Sequence, residues 1–226
     1  MYSHAFATLF LAEIYGMTGD PEVREKLKLS IGLIVRSQNK EGGWRYLPGA
    51  QDSDMSITVC QVMALRGARN AGIQVPKETI DRAVDYVKRS FKESRGSFTY
   101  QLEKNFRPSR DTYALTACGV ATLFGAGEYH TKEINMGLDF MMKNRPSARM
   151  ASNNFDYFYG HYYAVQAMFQ VGGRQWANWY DIMQTELRSL QKPSGNWADL
   201  VGKNYSTAMA AIILQIPFQY LPITER

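Results

Sequence analysis

Two kinds of helical segment alternate along the chain, and they differ in how apolar and polar positions are arranged. In the first kind, small and apolar residues occupy nearly the whole circumference, which predicts a helix buried on most sides. In the second kind, apolar residues recur every three to four positions and charges fill the opposite face, which predicts an amphipathic helix. Apolar helices are predicted at 4–15, 56–71, 114–125, 162–171 and 206–220, and amphipathic helices at 21–38, 76–92, 131–143 and 176–190.

The helix pairs form an internal repeat, because five segments begin alike. Each begins with a polar or aromatic residue ahead of a run of small and apolar residues, at Tyr2, Asp54, Asp111, His161 and Tyr205. A period of about 50 residues indicates a unit that must stack on its neighbours to bury its apolar face. The repeats are predicted near 1–50, 51–106, 107–157, 158–203 and 204–226, within one domain at 1–226. Because the first predicted helix starts almost at residue 1, we expect this domain to be excised from a longer chain.

The pairing of apolar with amphipathic helices predicts an all-α fold in two layers. The apolar helices form an inner row, and the amphipathic helices cover it on the outside. An open row would expose a large concave apolar surface, so the row is predicted to close partly or wholly into a small α/α toroid of about four and a half hairpins. The short segment 96–100 is predicted to be a loop.

Two of the amphipathic helices end with the same pattern, Gln-x-x-x-Gly-x-Trp. The copies run from Gln38 to Trp44 and from Gln191 to Trp197, and a degenerate copy runs from Phe91 to Phe98. Glycine allows the chain to turn after the helix, and the glutamine amide is suited to bind free backbone groups there. The tryptophans are predicted to pack under the next repeat, so both are expected to be structural.

This pattern resembles the repeat of squalene and oxidosqualene cyclases, which protein prenyltransferase β subunits share in looser form. The chain is also similar to uncharacterised bacterial prenyltransferase/squalene oxidase repeat domains, through the stretches at 54–58, 64–66 and 205–208. The resemblance covers nearly the whole chain. It implies an α/α toroid with a ligand cavity at one end of the inner barrel.

The catalytic motifs of those families are not matched. The cyclases carry Asp-x-Asp-Asp, whereas Asp52-Ser53-Asp54-Met55 lacks the third carboxylate, and the chain has no Asp-Asp-x-x-Asp pattern. The prenyltransferases bind zinc through Asp, Cys and His, but Asp54 and Cys60 are too far apart along a helix to share one metal. The fold is therefore carried over without any catalytic residue, and no cofactor or metal is expected.

The residues near the start of each inner helix are the candidate site. If the inner helices run parallel, these residues meet at one mouth of the barrel, where helix N-termini favour anions. The candidate ligand-binding residues are His4, Asp52, Asp54, Arg110, Asp111, Tyr159, His161, Tyr162 and Tyr205. An aromatic wall is expected from Trp44, Tyr46, Tyr157, Tyr159 and Tyr162.

Three members of this set are candidates for catalysis. His161 paired with Asp54 or Asp111 is suited to acid–base work. The alternative interpretation is structural, with the aspartates as helix N-caps and His161 as a core residue. Ser56 and Thr112 are suited to share the capping.

Composition excludes several classes of function. Net charge is +5, but Lys and Arg are scattered among acidic residues, so nucleic-acid binding is not expected. Cys60 and Cys118 lie in apolar stretches and are predicted to be buried small hydrophobes. No signal peptide is visible, and no stretch is apolar enough to span a bilayer, so localisation is undetermined.

Two hypotheses for function remain open. In the first, the toroid is a module that binds a hydrophobic or carbohydrate small molecule, or a protein partner. In the second, it is an enzyme acting on an isoprenoid or carbohydrate-like substrate in the central cavity, with Asp and His at its mouth. The 14 tyrosines suit a cavity wall, although they suit helix contacts equally well. A deep cavity at the mouth would favour a small-molecule site, and a plugged mouth would favour protein interaction.

Overall fold

A computed structural model describes residues 1–103, 109–151 and 156–220. In these ranges the regular secondary structure is helical apart from one short strand pair, and loops connect the elements. The helices are α1 (Tyr2–Thr18), α2 (Pro21–Ser37), α3 (Met55–Asn70), α4 (Lys77–Arg89), α5 (Tyr113–Ala126), α6 (Lys132–Lys143), α7 (Tyr157–Val171), α8 (Gly173–Leu190) and α9 (Lys203–Gln215). The strands are β1 (Phe91–Lys92) and β2 (Ser97–Phe98), and 3-10 turns lie at Ala148–Met150 and Ile216–Phe218. The predicted all-α class is confirmed.

The helix boundaries follow local sequence signals where such signals exist. Asp20 accepts hydrogen bonds from the N–H groups of Glu22 and Val23, and Pro21 occupies the first position of α2. A carboxylate at the N-cap satisfies backbone donors that have no partner inside the helix, and proline lacks such a donor. This start of α2 is as the sequence predicts.

Two of the boundaries that differ from the prediction have a clear physical cause. α7 begins at Tyr157 rather than Tyr162, without a side-chain cap, because the aromatic rings of Tyr157 and Phe158 are buried in the core. α9 ends at Gln215 rather than Tyr220, and a 3-10 turn containing Pro217 follows it. Proline lacks the N–H that an α-helix needs, so the helix stops ahead of it.

The segment 96–100, predicted to be a loop, is in part a strand. β2 pairs with β1 in antiparallel orientation, with Phe98 opposite Phe91. The ring of Phe98 is fully buried against α5, where a Cβ placed on Gly119 would lie 2.4 Å from it. The prediction was wrong because strands of two residues are too short to show period-two alternation.

The helices pack as an inner and an outer group. α1, α3, α5, α7 and α9 contact one another in that order. α2 packs on α1 and α3, α4 on α3 and α5, α6 on α5, and α8 on α7. α3 and α5 are buried along nearly their whole lengths, whereas the outer helices bury one face each. The apolar helices are thus the inner ones, as their composition predicts.

The two Gln-Gly-Trp loops fold alike. In each, the glutamine side-chain amide donates to the carbonyl oxygen of the glycine, at 2.7 Å for Gln38 and 2.9 Å for Gln191. Each indole N–H donates to a carbonyl ten residues earlier, at 2.8 Å for Trp44 and 2.7 Å for Trp197. Both indole rings are buried, so each loop is fastened to the helix that precedes it.

Candidate ligand cavity at the helix N-termini

A cavity of about 910 Å³ lies where the first turns of the five inner helices meet. Its size falls within the range of roughly 300–1,000 Å³ that small-molecule sites occupy. Five tyrosines line it: Tyr2, Tyr46, Tyr100, Tyr159 and Tyr205. Its apolar lining is Phe6, Ala114, Leu115, Val201 and Met209, and its other polar lining is Ser3, Ser56, Arg110 and Asp156. Because residues near the N-terminal ends of all five inner helices reach one cavity, these helices start on the same side of the molecule.

The lining tyrosines present neutral hydroxyl groups. Burial raises the pKa values of Tyr2, Tyr159 and Tyr205 above the ordinary value for a phenol. The hydroxyl of Tyr159 donates to the backbone carbonyl of Ser56 at 3.1 Å. A neutral phenol offers a ligand an apolar ring face and one hydrogen-bonding group.

A chain of hydrogen bonds leads from the cavity to a buried carboxylate. The hydroxyl groups of Tyr46 and Tyr100 are 2.6 Å apart, and Tyr100 donates to Oδ2 of Asp54 at 3.4 Å. Nη1 of Arg45 lies 3.6 Å from the same oxygen. Loss of hydration raises the pKa of Asp54, although the hydroxyl of Ser56 at 2.6 Å stabilises its charged form. The cavity wall is therefore connected to a carboxyl group that water does not reach.

Two guanidinium groups flank this chain. Cζ of Arg110 lies 4.7 Å from the ring centroid of Tyr100, and Cζ of Arg45 lies 5.7 Å from it. Cations over aromatic faces are attracted by the ring quadrupole. The ring of Tyr100 thus lies close to two positive charges. Arg110 brings one of these charges into the cavity lining.

Asp54 also confirms the capping interpretation. Its Oδ1 accepts a hydrogen bond of 2.8 Å from the N–H of Ile57, as an N-cap does. At α5 the cap is Thr112, which accepts from the N–H of Leu115, so Asp111 is not a cap. Asp111 instead pairs with Arg95 at 3.0 Å.

The other predicted binding residues divide into two groups. Arg110, Tyr159 and Tyr205 line the cavity. The lining does not include Asp54, which reaches it only through Tyr100, nor the remaining predicted residues. His4 binds the carbonyl of Ser30 at 2.9 Å, Asp52 accepts from Gln101 at 2.9 Å, and the ring of Tyr162 packs on Phe6. In the predicted aromatic wall, Tyr46 and Tyr159 belong to the lining, whereas Trp44, Tyr157 and Tyr162 are core residues.

His161 lies in the second turn of α7, so its predicted position at the helix start was wrong. The earlier start of α7 moves it into the core, where it is fully buried. Nδ1 is 2.8 Å from the carbonyl oxygen of Tyr157, and the ring contacts those of Tyr113 and Trp179. Burial lowers its pKa to about 4, so the ring is neutral near pH 7. His161, Asp54 and Asp111 make their interactions with different residues and are not brought together as one catalytic group.

Several lining residues were missed, and the repeat contains the signal that identifies three of them. Tyr46 and Tyr100 each stand two residues after the aromatic residue that closes a repeat loop. Phe6 and Met209 each stand one helical turn after the tyrosines at positions 2 and 205. Tyr46 was already predicted for the aromatic wall, and aligning the repeats two residues beyond the motif and one turn into each inner helix would have added Tyr100, Phe6 and Met209.

The two cysteines are buried in the core. Sγ of Cys60 is 3.1 Å from the hydroxyl of Tyr163, and Sγ of Cys118 is 3.5 Å from that of Tyr159. Burial raises the pKa of Cys60 to about 12, so the thiol stays protonated. Their predicted role as buried small residues is confirmed, since both are free thiols in the core.

Within the ranges 1–103, 109–151 and 156–220, no group of three or more His, Cys, Asp or Glu side chains is placed to hold a metal ion. In the same ranges no helix combines the length and the apolar character that crossing a membrane needs. Comparison of the chain with protein-family models and with curated proteins gives no match.

Proposed function

We propose that this chain is a small α/α toroid that binds an apolar molecule with one oxygenated end in the cavity at its helix N-termini. The observation that carries the proposal is the cavity itself, about 910 Å³ in volume and lined mainly by tyrosines and apolar side chains, with at least one residue from each of the five inner helices. A pocket of this size with a mainly apolar surface suits a small molecule better than a protein surface.

The composition of the lining favours an isoprenoid-like ligand over a carbohydrate. Phe6, Leu115 and Met209 offer apolar area without any hydrogen-bonding group, and methionine adapts its shape to branched chains. Arg110 and Asp156 are the charged residues of the lining, and most of the lining surface is apolar, which favours an apolar ligand over a sugar. The tyrosine hydroxyls are suited to one alcohol or carbonyl oxygen.

Closure of the inner helices into a toroid is part of the proposal. Its support is the contact between the rings of Phe6 on α1 and Tyr162 on α7, whose centroids are 6.3 Å apart. In an open row these helices would be separated by α3 and α5. We also propose that the chain is related to the squalene cyclase and prenyltransferase repeat proteins that its loops resemble.

Calorimetric titration with farnesol, a branched apolar alcohol, tests the binding proposal. The variant Met209→Trp puts an indole ring into the cavity, so binding should weaken about tenfold or more, which corresponds to about 1.4 kcal/mol. The matched control is Met17→Trp, because Met17 is 65% exposed on α1 and outside the cavity lining. Equal affinity in both variants, or no binding of farnesol to the unmodified chain, would overturn the proposal.

A second function, proton donation to an alkene, is favoured by the Tyr46–Tyr100–Asp54 chain. Asp54 in its protonated form would give its proton to Tyr100 as Tyr100 gives one to Tyr46 and Tyr46 gives one to an alkene carbon of the ligand. The π electrons of the alkene form the new C–H bond, and the resulting carbocation loses a proton from a neighbouring carbon to water, which restores an alkene. The carboxylate left behind would be stabilised by Arg45. Incubation of an isoprenoid alkene in D2O should then place deuterium on carbon with the wild type but not with Tyr100→Phe. Equal incorporation by both proteins would exclude this route.

A further inference from the structure

Three loops of the chain place a glycine in the left-handed region at the same point of the repeat. These are Gly42 (φ 93°), Gly96 (φ 68°) and Gly195 (φ 83°). In two of them the next outer helix lies directly over the glycine. A Cβ on Gly42 would be 2.3 Å from the carbonyl oxygen of Arg82 on α4, and a Cβ on Gly96 would be 3.1 Å from that of Met136 on α6.

The third loop has the same internal structure but is uncovered. In the part of the chain that the structure describes, no heavy atom lies within 4 Å of a Cβ on Gly195 beyond its own neighbours. Gln191, Lys192 and Gly195 are exposed, whereas Gln38 is half-buried and Gly42 is buried. The loop at 191–197 therefore has the shape of a helix-binding surface without the helix.

The inner helix that follows this loop, α9, also has a face that no outer helix covers in the described part of the chain. α3 and α5 are buried almost all round, because outer helices cover them. α9 exposes Asn204, Ala208 and Ala211, which lie four and three residues apart and so share one face. This face is free of large or charged side chains, which permits a second helix to approach closely.

We infer that the loop at 191–197 and the exposed face of α9 bind an amphipathic helix of a partner protein. The helix over the first loop, α4, defines its chemistry. In α4, the apolar face through Ala83 and Val87 packs inward, and a backbone carbonyl rests on the glycine. Arg82 and Arg89, seven residues apart, donate to loop carbonyls. The partner helix is thus apolar on one face, with basic residues seven apart at its edge.

The glutamine of the loop supplies a specific hydrogen bond for that helix. Gln38 donates from its side-chain nitrogen to Gly42 in its own loop and also to the carbonyl of Thr79 on α4, at 2.8 Å. Gln191 makes the first of these bonds, and among the described residues the second has no counterpart. Its amide is therefore oriented toward the place that the carbonyl of a bound helix would take.

A second copy of this chain is a poorer occupant than a different protein. The apolar faces of α4 and α6, which fit such a loop, are already buried within each copy. Supplying either helix to a neighbour would require that copy to unfold part of its own core. A partner protein whose amphipathic helix is not packed in its own core can bind without such unfolding.

The test uses a hydrocarbon-stapled peptide with the sequence of residues 76–92, whose helicity is checked by circular dichroism, and fluorescence anisotropy as the readout. The folded chain should bind it saturably, and a peptide of scrambled apolar spacing should not bind. Ala211→Arg places a bulky cation on the exposed face of α9 and should weaken binding about tenfold or more. Ala177→Arg, the same change at an exposed position of α8, should leave binding unchanged.

Three results would overturn the inference. The first is no binding by the helical peptide or by its counterpart from residues 131–143. The second is equal weakening by both arginine variants at unchanged melting temperature. The third is a wild-type dimer in sedimentation that Ala211→Arg dissociates, because the surface would then serve self-association.

Discussion

The loops after α2 and α8 make the same internal hydrogen bonds, yet they differ in what covers them. In both, glutamine bonds to glycine and tryptophan bonds back to the helix. The backbone N–H of each tryptophan also donates to a threonine hydroxyl of the following inner helix, Thr58 at 3.3 Å or Thr207 at 3.1 Å. Above Gly42 lies the backbone of α4, whereas the space above Gly195 is open in the described part of the chain.

This difference separates the local from the tertiary role of the motif. Because the open copy keeps the same hydrogen bonds, the sequence of the loop is enough to specify its conformation. Packing of the next outer helix on the loop changes only how much free energy of unfolding is lost when a loop residue is substituted. Paired substitutions at equivalent positions therefore measure what the covering helix contributes.

The largest effect is expected at the tryptophans. Trp44→Ala should lower the free energy of unfolding by about 3–5 kcal/mol through lost packing and an unsatisfied carbonyl. Trp197→Ala should cost less, about 2–3 kcal/mol, because the open side of its loop can relax into the space that the ring leaves. Urea denaturation of both variants measures the difference, and a larger loss at Trp197 would contradict this view of coverage.

The glycines should show the sharpest contrast between the two copies. Gly42→Ala adds overpacking against the Arg82 carbonyl to the strain of a positive φ, and should cost about 3 kcal/mol or more. Gly195→Ala has only the strain and should cost about 1 kcal/mol. The ratio of the two losses is read from thermal or chemical unfolding, and equal losses would mean that α4 does not press on the first loop.

The smallest effect is expected at the glutamines. Gln38→Ala removes hydrogen bonds to Gly42 and Thr79 at a half-buried site and should cost about 1–2 kcal/mol. Gln191→Ala removes an exposed bond and should cost less than about 0.5 kcal/mol. If a partner helix binds the loop at 191–197, Gln191→Ala should lower the free energy of unfolding of the complex by nearly as much as Gln38→Ala lowers that of the free chain.

Much of the fold follows from the sequence because the repeat is strongly patterned. The inner helices are recognised by their all-round apolar character and the outer ones by a single apolar face, and Asp20 with Pro21 marks the start of α2. The start of α7 is not predictable in this way. It depends on burial of Tyr157 and Phe158 against other helices, which is a tertiary effect without a local capping signal.

The cavity lies at the end of the inner helices where the sequence predicts a site, but only part of the predicted set of residues lines it. Arg110, Tyr159 and Tyr205 line the cavity, whereas His161 is in the core because its helix starts earlier. Tyr100 was missed because it follows the degenerate loop at 91–98, whose two-residue strands are too short to recognise.

The central claim is that the cavity at the helix N-termini binds an apolar ligand, and a crystal structure of the chain grown with farnesol tests it most directly. The expected result is electron density for one farnesol molecule in the cavity, with its chain against Phe6 and Met209 and its hydroxyl within hydrogen-bond distance of a lining tyrosine. A cavity filled by protein side chains, or farnesol bound only outside it, would contradict the claim.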